Sequence, residues 1–461
     1  MSESPINGSS WSPKNRKISK NNAEDSAAPS SSSQRVPSEA SSNIFVLNTD
    51  CLERIFSILS LEDQLNFSRS NHEIECMFRN YAQRKYKHIT EDIIDSLKEP
   101  DLEYLVEQVN EHVISYESSL DPSSKAEEQL GLLGMHCPML RRLNMTFSRP
   151  QWEDLNQLKN LNTLHASLQF SSNDVFEKFF LNLSENLPGL RKLVLDAPDY
   201  NGKGLHVLEK LQNLEINCEL DAKYLTDCCI KMKNLNFLKI GPWNKNLTNE
   251  NLSAIVANCR NLETLGFPDN KLLDNVAYEK VCELPRLKHI ILTYPRRRPG
   301  FIKGLVRRTG TPLESLILFG SNLCKEQIGH ICDIPSLREL WLGSTDENFN
   351  VEGFTKLKSL EYLHLDMEGI TNKQLLELVL GWPRLRVLNV LYCWNVTSDF
   401  ISLLNRSAKK LKEINRDKIS IYLYDSSVDW EGNSSFKIEN IHIINGHLNS
   451  PILIKKELNI Q

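Results

Sequence analysis

Leu337-Arg338-Glu339-Leu340-Trp341-Leu342 is followed by Leu360-Glu361-Tyr362-Leu363-His364-Leu365 and then by Leu385-Arg386-Val387-Leu388-Asn389-Val390. Their shared form, Leu-x-x-Leu-x-Leu, decides the fold. Further clear copies stand at Leu190/Leu193/Leu195, Leu235/Leu238/Ile240 and Leu313/Leu316/Leu318. Looser ones are Leu140/Leu143/Met145, Leu161/Leu164, Leu211/Leu214/Ile216, Leu262/Leu265/Phe267, Leu287/Ile290/Leu292 and Leu411/Ile414. The unit returns about every 21–29 residues, a period that marks stacked repeats rather than a biased composition. Side chains in a strand alternate, so the leucines of Leu-x-Leu point into a core and the x residue points out. Stacking such units makes a curved solenoid whose broad concave wall suits another macromolecule.

Between the triplets, Leu247-Thr248-Asn249-Glu250-Asn251-Leu252-Ser253-Ala254-Ile255-Val256 carries helical spacing with Thr248 as N-cap. The stretch from Ile370 to Val379 does the same. These units resemble the helix-bearing, cysteine-containing subtype of leucine-rich repeats. Cys259-Arg260-Asn261-Leu262 and Tyr392-Cys393-Trp394-Asn395-Val396-Thr397 match its style. The resemblance implies an α/β solenoid over residues 137–445, with a parallel sheet inside, helices outside and residues 446–461 as a tail. Ile438, Ile441 and Ile443 offer one more strand near the end of the array.

The outward positions of the middle and late repeats include Ile291, Ile317, Phe319, Trp341, Tyr362, His364 and Asp366. A contiguous apolar row on a concave wall is a candidate interaction patch. Trp and Tyr anchor interfaces because they bury much area at small entropic cost, so Trp341, flanked by Ile317 and Tyr362, is the expected centre. Beyond Leu292 lies Tyr294-Pro295-Arg296-Arg297-Arg298-Pro299, then Lys303, Arg307 and Arg308, the densest positive segment. Arg296, Arg297 and Arg298 suit a carboxylate-rich or phosphorylated peptide, since guanidinium pairs with such groups in bidentate fashion. A solvated loop is the alternative reading of the same charges.

Ahead of the repeats the chain changes character twice. Residues 1–43 are rich in Ser, Asn, Lys, Ala and Pro and carry too few large apolar side chains to fold. Ser4-Pro5 and Ser12-Pro13 are candidate sites of proline-directed phosphorylation, and Lys14, Arg16, Lys17 and Lys20 form either a nuclear signal or a solvated tail. From 44 to 88 the pattern is that of short amphipathic helices: Leu52, Ile55, Phe56 and Leu59 sit at i, i+3, i+4 and i+7. Residues 89–136 form a linker with one irregular first repeat around Val113-Ile114-Ser115-Tyr116.

The run Leu47-Asn48-Thr49-Asp50-Cys51-Leu52-Glu53-Arg54-Ile55-Phe56-Ser57-Ile58-Leu59-Ser60-Leu61-Glu62-Asp63 resembles the first half of an F-box. Leu47, Leu52, Ile55, Phe56, Leu59 and Asp63 match that pattern. Asn48 stands where proline is usual, Asp50 where glutamate is commoner, and Ser70 and Ile74 where valine and tryptophan are frequent. An F-box followed by leucine-rich repeats is the order of the F-box/leucine-rich-repeat proteins. That resemblance implies the substrate-recognition subunit of an SCF-type cullin–RING ubiquitin ligase. Leu47, Leu52, Ile55, Phe56 and Leu59 would build the module that docks on a Skp-type adaptor, some of them as its core, and the concave wall would hold the substrate protein. The class brings substrates close to a thioester-carrying enzyme and does not itself transfer ubiquitin. The rivals are a ligase-independent leucine-rich-repeat scaffold and a nucleic-acid or nuclear transport factor using Arg296–Arg298 and the basic tail.

Composition narrows the classes further. A formal net charge of −5 over 461 residues argues against a dedicated nucleic-acid binder. No stretch approaches the roughly 18 apolar residues of a membrane span, and no apolar leader opens the chain. The 11 cysteines are scattered without metal-ligand spacing, which suits reduced thiols in a cytoplasmic or nuclear protein. Neither a Gly-rich phosphate loop nor a nucleophile elbow is present, and the histidines lack partners at catalytic spacing. A non-catalytic protein without cofactor or metal is expected.

Overall fold

The computed structural model describes residues 47–118, 125–150, 152–293, 295, 299–320, 323–343, 351–366, 369–382, 384–414, 418–430 and 432–457. Three helices open the described chain: α1 (Thr49–Ile58), α2 (Leu61–Ser68) and α3 (His72–Lys85). Local chemistry sets their ends. The Ser60 hydroxyl accepts from the Asp63 amide at the start of α2, and the Asn71 side chain accepts from the Glu73 amide at the start of α3. Leu52 and Phe56 fall on one face of α1 because the helical period brings i and i+4 together. There Phe56 packs against Phe67, Phe78 and Tyr81 at ring-centroid distances of 5.3–5.5 Å.

Among the described residues, sixteen strands then follow in one sheet. They are β1 (His88–Ile89), β2 (Ser115–Glu117), β3 (Arg142–Phe147), β4 (Thr163–Leu168), β5 (Lys192–Asp196) and β6 (Asn213–Asn217). Next come β7 (Phe237–Ile240), β8 (Thr264–Pro268), β9 (His289–Thr293), β10 (Ser315–Phe319) and β11 (Glu339–Leu342). The last are β12 (Tyr362–Asp366), β13 (Val387–Leu391), β14 (Ile419–Leu423), β15 (Ser435–Ile438) and β16 (Ile441–Asn445). From β1 to β14 each strand pairs in parallel with the next, and β14 pairs in parallel with β16. Only β15 runs against its neighbour β16, closing the ladder as a hairpin.

The register is the one the leucines dictate. Leu316, Leu340, Leu363 and Leu388 stand side by side, as do Leu318, Leu342, Leu365 and Val390. All eight are buried, each stabilising the stack by roughly 1.5–3 kcal/mol relative to exposure. The first leucine of a triplet closes a tight turn before its strand: the Leu190, Leu262 and Leu337 amides donate to the carbonyls of Leu187, Cys259 and Ile334. The convex side follows the spacing of the copies. Between Leu140 and Leu161, and between Leu190 and Leu211, the short return ends in a 3-10 turn, Glu153–Gln157 or Leu205–Val207. Between Leu235 and Leu262 the longer interval holds the helix Asn249–Asn258, started by a capping box of Thr248 and Asn251. A similar box of Thr371 and Gln374 starts the helix Asn372–Gly381.

Two boundaries differ from the sequence expectation. β2 falls on the expected irregular first repeat, but β1 ahead of it already stacks in register as well. The stretch after 445, expected as a tail, holds the helix Ile452–Glu457.

Candidate functional site: the concave wall and the helical module

Odd positions of each strand line the concave wall, and their chemistry changes along the ladder. The N-terminal half is polar. His165 Nε2 lies 2.6 Å from Asp196 Oδ2, Asn217 Nδ2 donates to Asp196 Oδ1 at 2.6 Å, and Lys239 Nζ meets Glu215 Oε1 at 2.6 Å. Burial alone would raise the Asp196 carboxyl, but the His165 and Asn217 hydrogen bonds outweigh it and hold the group below the usual range. The other half is apolar: Ile291, Ile317 and Trp341 occupy neighbouring register positions on β9, β10 and β11. Phe319 stands edge-on to Trp341 at 5.3 Å, and His364 stacks on its other side. The leucine ladder therefore brings Ile291, Ile317, Phe319, Trp341, Tyr362 and His364 to one wall.

That wall is not open. Ile291, Ile317, Trp341, Tyr362 and His364 are all buried, a correction to their reading as a free surface. The physical reason is the returning C-terminal stretch. Ile454 packs into a cluster with Phe237, Ile291, Ile317 and Trp341, beside the half-buried Phe319. The Glu339 carboxylate, itself fully buried, accepts from the Ile452 amide at 2.6 Å, and from the Leu453 amide and the Ser315 hydroxyl at 3.1 Å each. Burial pushes the Glu339 carboxyl up, against the pull of those hydrogen bonds. Two strands on, the Asn389 side chain serves Leu448 as a strand edge would: its Oδ1 accepts from the Leu448 amide and its Nδ2 donates to the Leu448 carbonyl, both at 3.3 Å. Beside this stretch a cleft of about 240 Å³ remains, lined by Phe319, Trp341, His364, Asp366 and His447 among others.

Arg296, Arg297 and Arg298 lie outside the described residues. Of the neighbouring charges, Lys303 lies on the helix Pro299–Val306 and pairs with Glu326 at 3.4 Å. Arg308 donates to the carbonyls of Cys282, Leu284 and Leu287 at 2.8–3.1 Å, so it ties one repeat to the next.

In the helical module the candidate docking residues separate into two groups. Leu52 and Phe56 belong to its own core and are not available to a partner, so of the five they are the ones that build the module rather than face an adaptor. Ile55 and Leu59 are half-buried and Leu47 is exposed. Ile58, which the sequence reading passed over, is 70% exposed. It lies one turn beyond Ile55 on the flank of α1, a position that helical spacing alone could have flagged. Glu339 and Asn389 were missed for another reason: nothing in their own repeats announces a binding partner more than fifty residues away in sequence.

Among the described residues, no group of three His, Cys, Asp or Glu is placed to hold a metal ion. No helix among them is long and apolar enough to cross a membrane.

No family model matches the chain, and no curated protein matches it. Solved structures do. The Rad7–Elc1 complex of yeast is similar over 86% of this chain and 97% of that chain, at 16% identity and a TM-score of 0.42. An internalin of Listeria monocytogenes is similar over 63% of this chain and 76% of its own, at 15% identity and a TM-score of 0.39. For a leucine-rich-repeat protein of Leptospira interrogans the figures are 69%, 95%, 14% and 0.34. By its own ladder and register, the chain is a leucine-rich-repeat solenoid, an architecture of protein-interaction scaffolds.

Proposed function

We propose that this chain is a non-catalytic, substrate-recognition subunit of an SCF-type cullin–RING ubiquitin ligase, acting in the cytoplasm or nucleus. Its helical module would dock on a Skp-type adaptor, and the solenoid would hold a substrate protein on the concave wall. The observation that carries the reading is the apolar flank of α1, exposed Ile58 beside half-buried Ile55, on a packed three-helix module that leads directly into the solenoid. An exposed isoleucine beside a half-buried one is the kind of edge a partner helix covers. The F-box pattern around Leu47, Leu52, Ile55, Phe56 and Leu59 names the kind of partner.

The test is a pull-down of the full chain with purified Skp-type adaptor, comparing wild type with an Ile55→Asp, Ile58→Asp double variant. Ile58 is exposed and Ile55 half-buried, so circular dichroism checks that the variant folds, with Ile58→Asp alone as the milder change. Capture of wild type and loss in the variant supports the reading. Absence of capture by the folded wild type refutes it and leaves a ligase-independent scaffold.

A further inference from the structure

The concave wall already holds a peptide. Residues 446–457 lie along its apolar half, fixed at one end by Asn389 on the Leu448 backbone and at the other by Glu339 on the Ile452 and Leu453 amides. The link spans 113 residues of sequence, so it joins the end of the chain to the middle of the array. We propose that the wall around Glu339 and Trp341 is a peptide-binding site whose resident occupant is the chain's own C-terminal stretch. Its partner in trans is then a segment of the same chemistry: two consecutive free backbone N–H groups followed by a branched aliphatic side chain. The inference rests on the reading that the concave wall receives the substrate, and it names what that substrate presents.

Three features carry it. Glu339 is the one carboxylate in its register row here: Thr264, His289 and Ser315 precede it and Tyr362 and Val387 follow. A buried carboxylate is costly without donors, and the wall's own Ser315 and Trp341 side chains meet only part of that need. Its two amide partners are supplied entirely by residues 452 and 453. Second, Asn389 offers a donor and an acceptor side by side, the pair a peptide backbone requires. It recognises any main chain laid along the wall, whatever its side chains. Third, among the described residues the apolar anchoring is narrow: Ile454 is the one residue of the stretch within the Ile291–Ile317–Trp341 cluster. A short segment held by a few contacts opens more readily than the ladder beneath it. The cleft beside His447 and Asp366 gives a competitor a place to engage before the stretch leaves.

The experiment uses a fluorescein-labelled synthetic peptide with the sequence of residues 446–461, titrated into the full chain and into a chain ending at residue 445. Fluorescence anisotropy reads binding. The truncated chain should bind the peptide at least about tenfold more tightly than the full chain, whose own stretch competes. In the truncated chain Glu339→Val should weaken the peptide about tenfold or more, and an Ile454→Asp peptide should fail to bind. Equal affinity for both chains overturns the proposal, as does indifference to both substitutions or no binding to a folded truncated chain. Should the truncation not fold, the full-length Ile454→Asp chain takes its place as host, with the same outcomes expected. Neither the adaptor nor the helical module enters this assay, so its failure and the failure of the ligase reading are told apart.

Discussion

The imidazole of His364 lies flat on the indole of Trp341, with 3.9 Å between ring centroids and planes 2° apart. The two residues are register partners on β12 and β11, so the parallel ladder itself sets the stack. Asn389 Nδ2 lies 2.5 Å from His364 Nδ1 on the far side. Burial, with a smaller contribution from His447, pushes the His364 imidazole down to about 3.

Stability should therefore depend on pH in part through this ring. The unfolded chain takes up a proton near pH 6.5, while the folded chain keeps the ring neutral until about pH 3. The stabilisation is complete above the unfolded value and is lost as pH falls through that window. Between pH 7 and 5 the wild type should lose about 2 kcal/mol more than a His364→Leu variant, measured by urea denaturation of both chains. Equal slopes would show that the ring titrates freely in the fold.

Trp341 is the hub of the same wall. Trp341→Ala removes the surface on which His364, Phe319 and Ile454 rest and should cost about 3 kcal/mol. The ladder leucines on either side, Leu340 and Leu342, face the opposite way and keep their packing. Hydrogen exchange should rise first at the Ile452 and Leu453 amides and only later in β10 to β12.

Core and contact residues of the helical module should separate cleanly. Phe56→Ala opens a void among Phe67, Phe78 and Tyr81 and should destabilise the module by about 3–5 kcal/mol, read by chemical denaturation. Ile58→Asp, on an exposed position, should leave the midpoint within roughly 0.5 kcal/mol of wild type. An equal cost for both would mean that Ile58 is covered.

On the convex side, Asn251 does two jobs. It completes the Thr248 capping box, and its Nδ2 donates to the Ala222 carbonyl at 2.6 Å and lies 3.1 Å from Thr226 Oγ1, stitching two successive helices. Asn251→Ala removes a donor to the half-buried Ala222 carbonyl and the acceptor of the Thr248 amide, and should cost about 1–2 kcal/mol in thermal or chemical unfolding. A cost below about 0.5 kcal/mol would show that water replaces the amide.

Much of this was legible in the sequence, for a physical reason. A leucine facing inward in every turn of a solenoid repeats with a period, and the period gives strand, face and neighbour together. Ile291, Ile317 and Trp341 were thereby placed on one wall. The covering of that wall was not legible, because Ile452–Glu457 is a single short helix without a repeat of its own. The hints were the apolar Ile452-Leu453-Ile454 within a polar ending and a glutamate directly before Leu340-Trp341-Leu342. Neither says where the other goes. In the helical module the stripe of α1 was legible, but one stripe holds both core and rim. Only the packing of Phe56 between Phe67 and Phe78 separates Leu52 and Phe56 from Ile55 and Ile58.

The hairpin that closes the ladder has a consequence for how these molecules meet one another. An open parallel sheet ends in unpaired amides and carbonyls that a second copy can extend, strand upon strand. Here the terminal strand Ser435–Ile438 is reversed, four residues long, and carries the exposed Lys437. At the opposite end the sheet begins with a strand of only two residues, directly after the helical module. Among the described residues, neither end of this repeating sheet is prepared to repeat into a neighbour, and the chain should remain free of end-to-end fibres at concentrations where a cut array would polymerise.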